Sequence, residues 1–224
     1  MGNRKNATHP AVRSDAQLFL VGLSKNSNPS KMTTLLSDAS GNLAAWVVSA
    51  PTHAKMMQIA YVRYNGQPAI LQLAPKSSLG QVSTPWAPSV FNGNGSEPRQ
   101  TITFSVPEET RQQMELVEEA VREGLKQTVP GIDAIWSSST KPPGKYASTL
   151  RAKIVVSGDK ACRCYNAAGE PVPLPTEWTG LPVLPMLAVK SIYIQKSMAG
   201  LVLEVVSLMI GERTSEGADR GGFV

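Results

Sequence analysis

Few side chains in this sequence could do covalent, redox or metal chemistry. The thiols are Cys162 and Cys164, and the imidazoles are His9 and His53. A cysteine pair one residue apart, with two distant histidines, lacks the spacing of a zinc site, so no metal is expected. The same pair would close only a strained disulfide ring, which points to free thiols in a reducing compartment. Neither histidine has a local serine, cysteine or carboxylate arranged as a triad needs. No glycine-rich loop of the Walker or dinucleotide type occurs, and Gly93-Asn94-Gly95 reads as a turn. A paired-carboxylate site using Glu204 is the one enzymatic arrangement left open. The expectation is a non-enzymatic protein without cofactors.

What remains is a set of cations interleaved with aromatic rings. Single-stranded nucleic acid binding needs a cationic groove for phosphates and aromatic faces on which bases stack. Net charge is +5, which permits a polyanion partner. Lys141, Lys145, Arg151, Lys153, Lys160 and Arg163 lie close together in sequence against only Asp159, while acids gather between Glu108 and Glu123. The candidate phosphate contacts are Arg63, Lys145, Arg151, Lys153, Arg163 and Lys190. The candidate stacking residues are Tyr61, Tyr146, Tyr165 and Tyr193. Lys196 lies beside the last of these.

Strands must position most of these residues. In Thr149 to Val156, Leu150, Ala152, Ile154 and Val156 share one face and Arg151 and Lys153 share the other, the period-two pattern of a half-buried strand. Lys55 to Tyr64, then Asn65-Gly66, then residues 68–73 read as an antiparallel hairpin. The longest β signal is a second hairpin, with runs at Leu187–Gln195 and Leu201–Ile210 and a break at residues 196–200, where Gly200 is expected to supply a positive φ. Residues 43–50 read as a short strand or a helical turn. Met114, Val117, Val121 and Leu125 recur at helical spacing and predict a helix at about 107–127 with a solvated acidic face. Residues 75–99 form a long Pro- and Gly-rich loop, with Trp86 and Phe91 expected to pin it to the surface. Residues 171–182 read as a proline-rich connector.

Five to seven strands and one long helix cannot supply the crossovers of a parallel sheet. The expected fold is mainly β: an antiparallel barrel of the oligonucleotide-binding (OB) type at 41–211 with one inserted helix, a flexible basic arm at 1–40 and a polar tail at 212–224. No apolar run reaches the roughly 18 residues of a membrane span, so no membrane partner is expected.

The terminal hairpin also carries a resemblance. Residues 185–195, PMLAVKSIYIQ, followed by Gly200-Leu201-Val202-Leu203-Glu204-Val205, resemble the C-terminal signature of single-stranded-DNA-binding proteins of tailed phages and large DNA viruses. The order of elements over about 54–210 is similar too. The resemblance implies sequence-tolerant binding of single-stranded DNA, with RNA left open, during replication, recombination or repair. It implies location inside the cell, in the nucleus or at a viral replication site. It also implies replication proteins as partners through the tail, and a homo-oligomer is a further candidate. The tail departs from the acidic phage pattern: Glu212, Glu216 and Asp219 are offset by Arg213 and Arg220, although Phe223 is present. The alternative expectation is a virion or assembly subunit that packs through its strands, its arm and the loop at 75–99.

Overall fold

The computed structural model describes residues 33–90 and 97–213. The expectations for the arm before Thr33, for Phe91, and for the tail with Phe223 lie outside the described residues. The chain begins with β1 (Thr33–Leu35) and a short helix α1 (Leu36–Gly41) whose Leu36 and Ala39 are fully buried. The folded body therefore starts before residue 41. A 3-10 turn at Leu43–Ala45 runs into β2 (Trp46–Val48), so residues 43–50 hold both a turn and a strand.

β3 (Thr52–Ala54) and β4 (Met57–Tyr64) follow, and Asn65 (φ 49) and Gly66 (φ 73) turn the chain in the left-handed region. The return strand is split. β5 (Gln67–Pro68) pairs with β4, but Pro68 brings no N–H to extend that ladder. β6 (Ile70–Gln72) leaves to pair with β1 and with the terminal hairpin.

Next come β7 (Ser83–Thr84), β8 (Arg99–Ser105) and α2 (Glu108–Lys126). Pro107 sits at the N-cap of α2, with Glu108 and Glu109 in the first turn at the positive end of the helix dipole. Met114, Val117, Val121 and Leu125 are buried as the spacing predicts, each burial contributing about 1.5–3 kcal/mol. The helix packs closely on β2, where a Cβ at Gly124 would lie 3.1 Å from Val48 Cγ2. Then follow α3 (Ile132–Ile135), β9 (Thr140–Lys141), β10 (Thr149–Val155), β11 (Arg163–Tyr165) and β12 (Pro171–Val172).

The last two strands are β13 (Leu181–Ile194) and β14 (Ala199–Ile210). β13 thus takes in the end of the expected connector. Its prolines are tolerated because one edge changes partner along its length: Pro182 faces β7, Met186 to Ala188 face β6, and Ser191 to Ile194 face β4. Pro185 falls in the gap between two of these partners. Register shifts at Met186/Leu187 and Val189/Ser191 bend the hairpin around the core.

The pairings close on themselves. β13 pairs with β14, β14 with β10, β10 with β8, β8 with β7, and β7 with β13; only the β14–β10 contact is parallel. This circuit of five strands is a small barrel of the OB type, with Ile102, Phe104, Leu150, Ile154, Leu187 and Leu203 buried within.

Candidate nucleic-acid interface

β8 and β10 alternate cleanly, so burying Ile102, Phe104, Leu150, Ala152 and Ile154 turns Arg99, Thr101, Thr103, Arg151 and Lys153 outward. The register sets Arg151 opposite Thr103, Lys153 opposite Thr101 and Val155 opposite Arg99. On its other side Lys153 is level with Glu204 of β14. Lys153 Nζ donates to Thr101 Oγ1 at 2.7 Å. Glu204 meets Arg99 at 3.4 Å and Lys190 at 3.2 Å. Four cations therefore gather on one outer face, and two of them, Arg99 and Lys190, pair with Glu204. Partial burial, then the charges of Arg99 and Arg151, hold the Lys153 ammonium below its usual range. An anion placed here would relieve that crowding.

A pair of exposed aromatic rings stands at one end of this face. Trp86 and Tyr146 meet edge to face, with ring centroids 6.5 Å apart and planes at 80°. Both are more than half exposed, and Lys145 Nζ lies 5.6 Å from the Tyr146 ring centroid. Trp86 lies between two pairings of its own segment with β8, Ser83 with Ser105 and Ser89 with Thr101. Tyr146 comes shortly before Thr149, which pairs with both Ser105 and Lys141. The two loops thus leave the barrel at the same level. From Thr149 to Val155 the basic face then runs about 20 Å down β10.

Carboxylates of α2 hold the loop that carries Tyr146. Glu118 is buried and accepts from Ser138 Oγ at 2.7 Å, from the Ser139 N–H at 2.8 Å and from Ser139 Oγ. Glu115 accepts from Thr140 Oγ1 at 3.2 Å and pairs with Arg111. Glu108 accepts from Arg111 and Ser148, and these bonds lower its pKa from 4.5 to about 2. So the acidic face is not simply solvated. Part of it organises residues 138–148, and the Ser137-Ser138-Ser139-Thr140 run supplies the donors.

The other sequence candidates divide. Tyr61 is exposed on β4 and pairs with Ser191, which pairs in turn with Val202 of β14, so it lies on the same continuous sheet. Arg63 lies beyond the β4–β13 pairing and donates to the Gly66 carbonyl at 3.1 Å. Arg163 and Tyr165 sit on β11, beside Ser207 and Met209 and past the bend in β14. The structure does not bring these three to the basic face. Tyr193 is half-buried over Gly200, its pairing partner. Gly200 has no positive φ; its missing Cβ makes room for the Ser137 carbonyl, 2.7 Å from where that Cβ would stand, and for the Tyr193 ring.

Three residues at this face carry no clear binding signal in the sequence. Arg99 preceded the strand expected to begin at Thr101. Trp86, expected to pin its loop to the surface, is itself 52% exposed. Glu204, which the sequence leaves open as one of a carboxylate pair, pairs instead with cations. Cys162 and Cys164 are buried free thiols. A hydrogen bond between them, together with burial, pushes Cys162 up, and the same bond lowers Cys164. Among the described residues no group of three or more His, Cys, Asp or Glu side chains could hold a metal, and no helix is long and apolar enough to cross a membrane.

No family model matches this sequence, and no curated protein does. Solved structures do. One is gp2.5, a single-stranded DNA binding protein encoded by bacteriophage T7, with 16% identity and a TM-score of 0.46, covering 69% of this chain and 98% of that one. A C-terminal truncation of the single-stranded DNA-binding protein from bacteriophage Enc34 matches with 12% identity and a TM-score of 0.41, covering 75% and 96%. The Enc34 protein in complex with ssDNA matches with 13% identity and a TM-score of 0.39, covering 75% and 97%. The chain is similar to these phage single-stranded-DNA-binding proteins.

Proposed function

We propose that this protein binds single-stranded DNA without sequence preference and is not an enzyme. One observation carries the reading: the outer face of β8, β10, β14 and β13 gathers Arg99, Arg151, Lys153 and Lys190 next to the exposed Trp86–Tyr146 pair. The cations meet phosphates and the rings stack bases, the two requirements of single-strand binding. No base-edge reader is needed, because every base has a stacking face. A role in replication, recombination or repair, in a reducing compartment where Cys162 and Cys164 stay as thiols, follows from this reading.

A fluorescence-anisotropy titration with a labelled oligo(dT) and with a duplex of equal length tests the proposal. The single strand is expected to bind more tightly, because only its bases are free to stack on Trp86 and Tyr146. Equal affinity for the duplex, or no affinity for either at low salt, contradicts it.

A further inference from the structure

Among the described residues, Glu204 is the acid that pairs with cations of this face, and its position is central. β14 places it between β10 and β13, level with Lys153 and Ala188. Its side chain is 24% exposed, while those of Arg99 and Lys190 are 50% and 47% exposed. The carboxylate therefore lies deeper than the two cations it holds. Each pair is open to solvent, so each is weak and readily exchanged.

We propose that Glu204 is an internal competitor for phosphate, a built-in anion that occupies Arg99 and Lys190 until nucleic acid displaces it. The inference rests on the single-strand-binding reading and deepens it. In the free protein Glu204 draws the Arg99 guanidinium and the Lys190 ammonium toward the face, where a phosphate would need them. A backbone phosphate arriving there must take over one or both cations and approach a fixed negative charge. Both effects lower affinity, and fewer counterions are released than the four cations alone would give. The result is a binder that lets go of the strand easily, as a sequence-tolerant protein needs if other machinery is to follow it.

The test compares the wild-type chain with Glu204→Gln and Glu204→Thr, titrated with labelled oligo(dT) over a range of salt. The threonine variant keeps strand propensity should the glutamine disturb folding. The expected result is roughly tenfold tighter binding at low salt, the scale of two exposed ion pairs. The log–log salt slope should steepen by roughly 0.7 to 1.4, one or two added phosphate contacts on a single strand. Arg99→Ala should also cost more affinity in the Glu204→Gln background than in the wild type, which a merely structural glutamate would not produce. Wild-type binding with unchanged or weaker binding by both folded variants overturns the inference and leaves the functional reading standing. No binding by the wild type or either variant overturns the reading beneath it.

Discussion

Trp86 and Tyr146 come from different loops and meet edge to face at 6.5 Å, both exposed to solvent. Large exposed rings are costly to keep in water, so their contact with each other points to use as a platform. Trp86→Ala or Tyr146→Ala should weaken oligo(dT) binding by about 1–3 kcal/mol per stacked base lost. The salt slope should hardly change, because no phosphate contact is removed. Thermal unfolding should stay near the wild type. Unchanged affinity in both variants would reject the platform.

Fluorescence gives a second reading of the same contact. Trp46 and Trp178 are buried, and Trp86 is the most exposed indole among the described residues. Stacked bases should quench tryptophan emission on titration, and most of that quenching should vanish in Trp86→Phe while binding persists. Full quenching in the variant would place the bases elsewhere.

The depressed Lys153 ammonium sets a pH dependence. Burial and the charges of Arg99 and Arg151 lower its pKa from 10.5 in the free protein. A phosphate favours the charged form, so the bound-state pKa is the higher one. Affinity is then full below the free-state pKa and is lost as pH rises through it toward the bound-state value. Affinity for oligo(dT) should begin to fall before pH 10.5, and Lys153→Arg should move that fall upward because guanidinium stays charged. Superimposable profiles for the two proteins would refute the assignment.

The backbone of the interface was legible only where alternation was strong. Arg151 and Lys153 stood out because Leu150, Ala152 and Ile154 flank them at period two. Register was not legible. Nothing in the order of residues says that Glu204 comes level with Lys153, or that Arg99 reaches the same carboxylate as Lys190. Trp86 carried no useful signal, since an aromatic in a Pro- and Gly-rich loop most often anchors it. Arg63, Arg163 and Tyr165 looked equivalent to Arg151 by type and pattern, and only strand pairing separates them.

Gly200 shows the same limit, because glycine in a turn suggests a positive φ. Here close approach to the Ser137 carbonyl and the Tyr193 ring is the constraint. Gly200→Ala should destabilise the barrel by about 1–3 kcal/mol through overpacking against backbone. Equilibrium denaturation checks this, and an unchanged midpoint would show that the contact relaxes freely.

Glu118→Ala should cost about 1–3 kcal/mol of stability, because the Ser139 N–H loses its buried acceptor. Limited proteolysis within residues 137–148 should speed up. Wild-type stability and protection would mean that α2 does not hold the loop.

In the proposed single-strand binder, Arg99, Arg151, Lys153 and Lys190 form the phosphate-binding face. The most direct measurement is the salt dependence of oligo(dT) affinity for the wild type and for Arg151→Ala/Lys153→Ala. Log K should fall in a straight line with log salt at roughly 0.7 per phosphate contact, and the fall should be shallower by roughly 1.4 in the double variant. A wild-type affinity that ignores salt, or the same slope in both proteins, contradicts it.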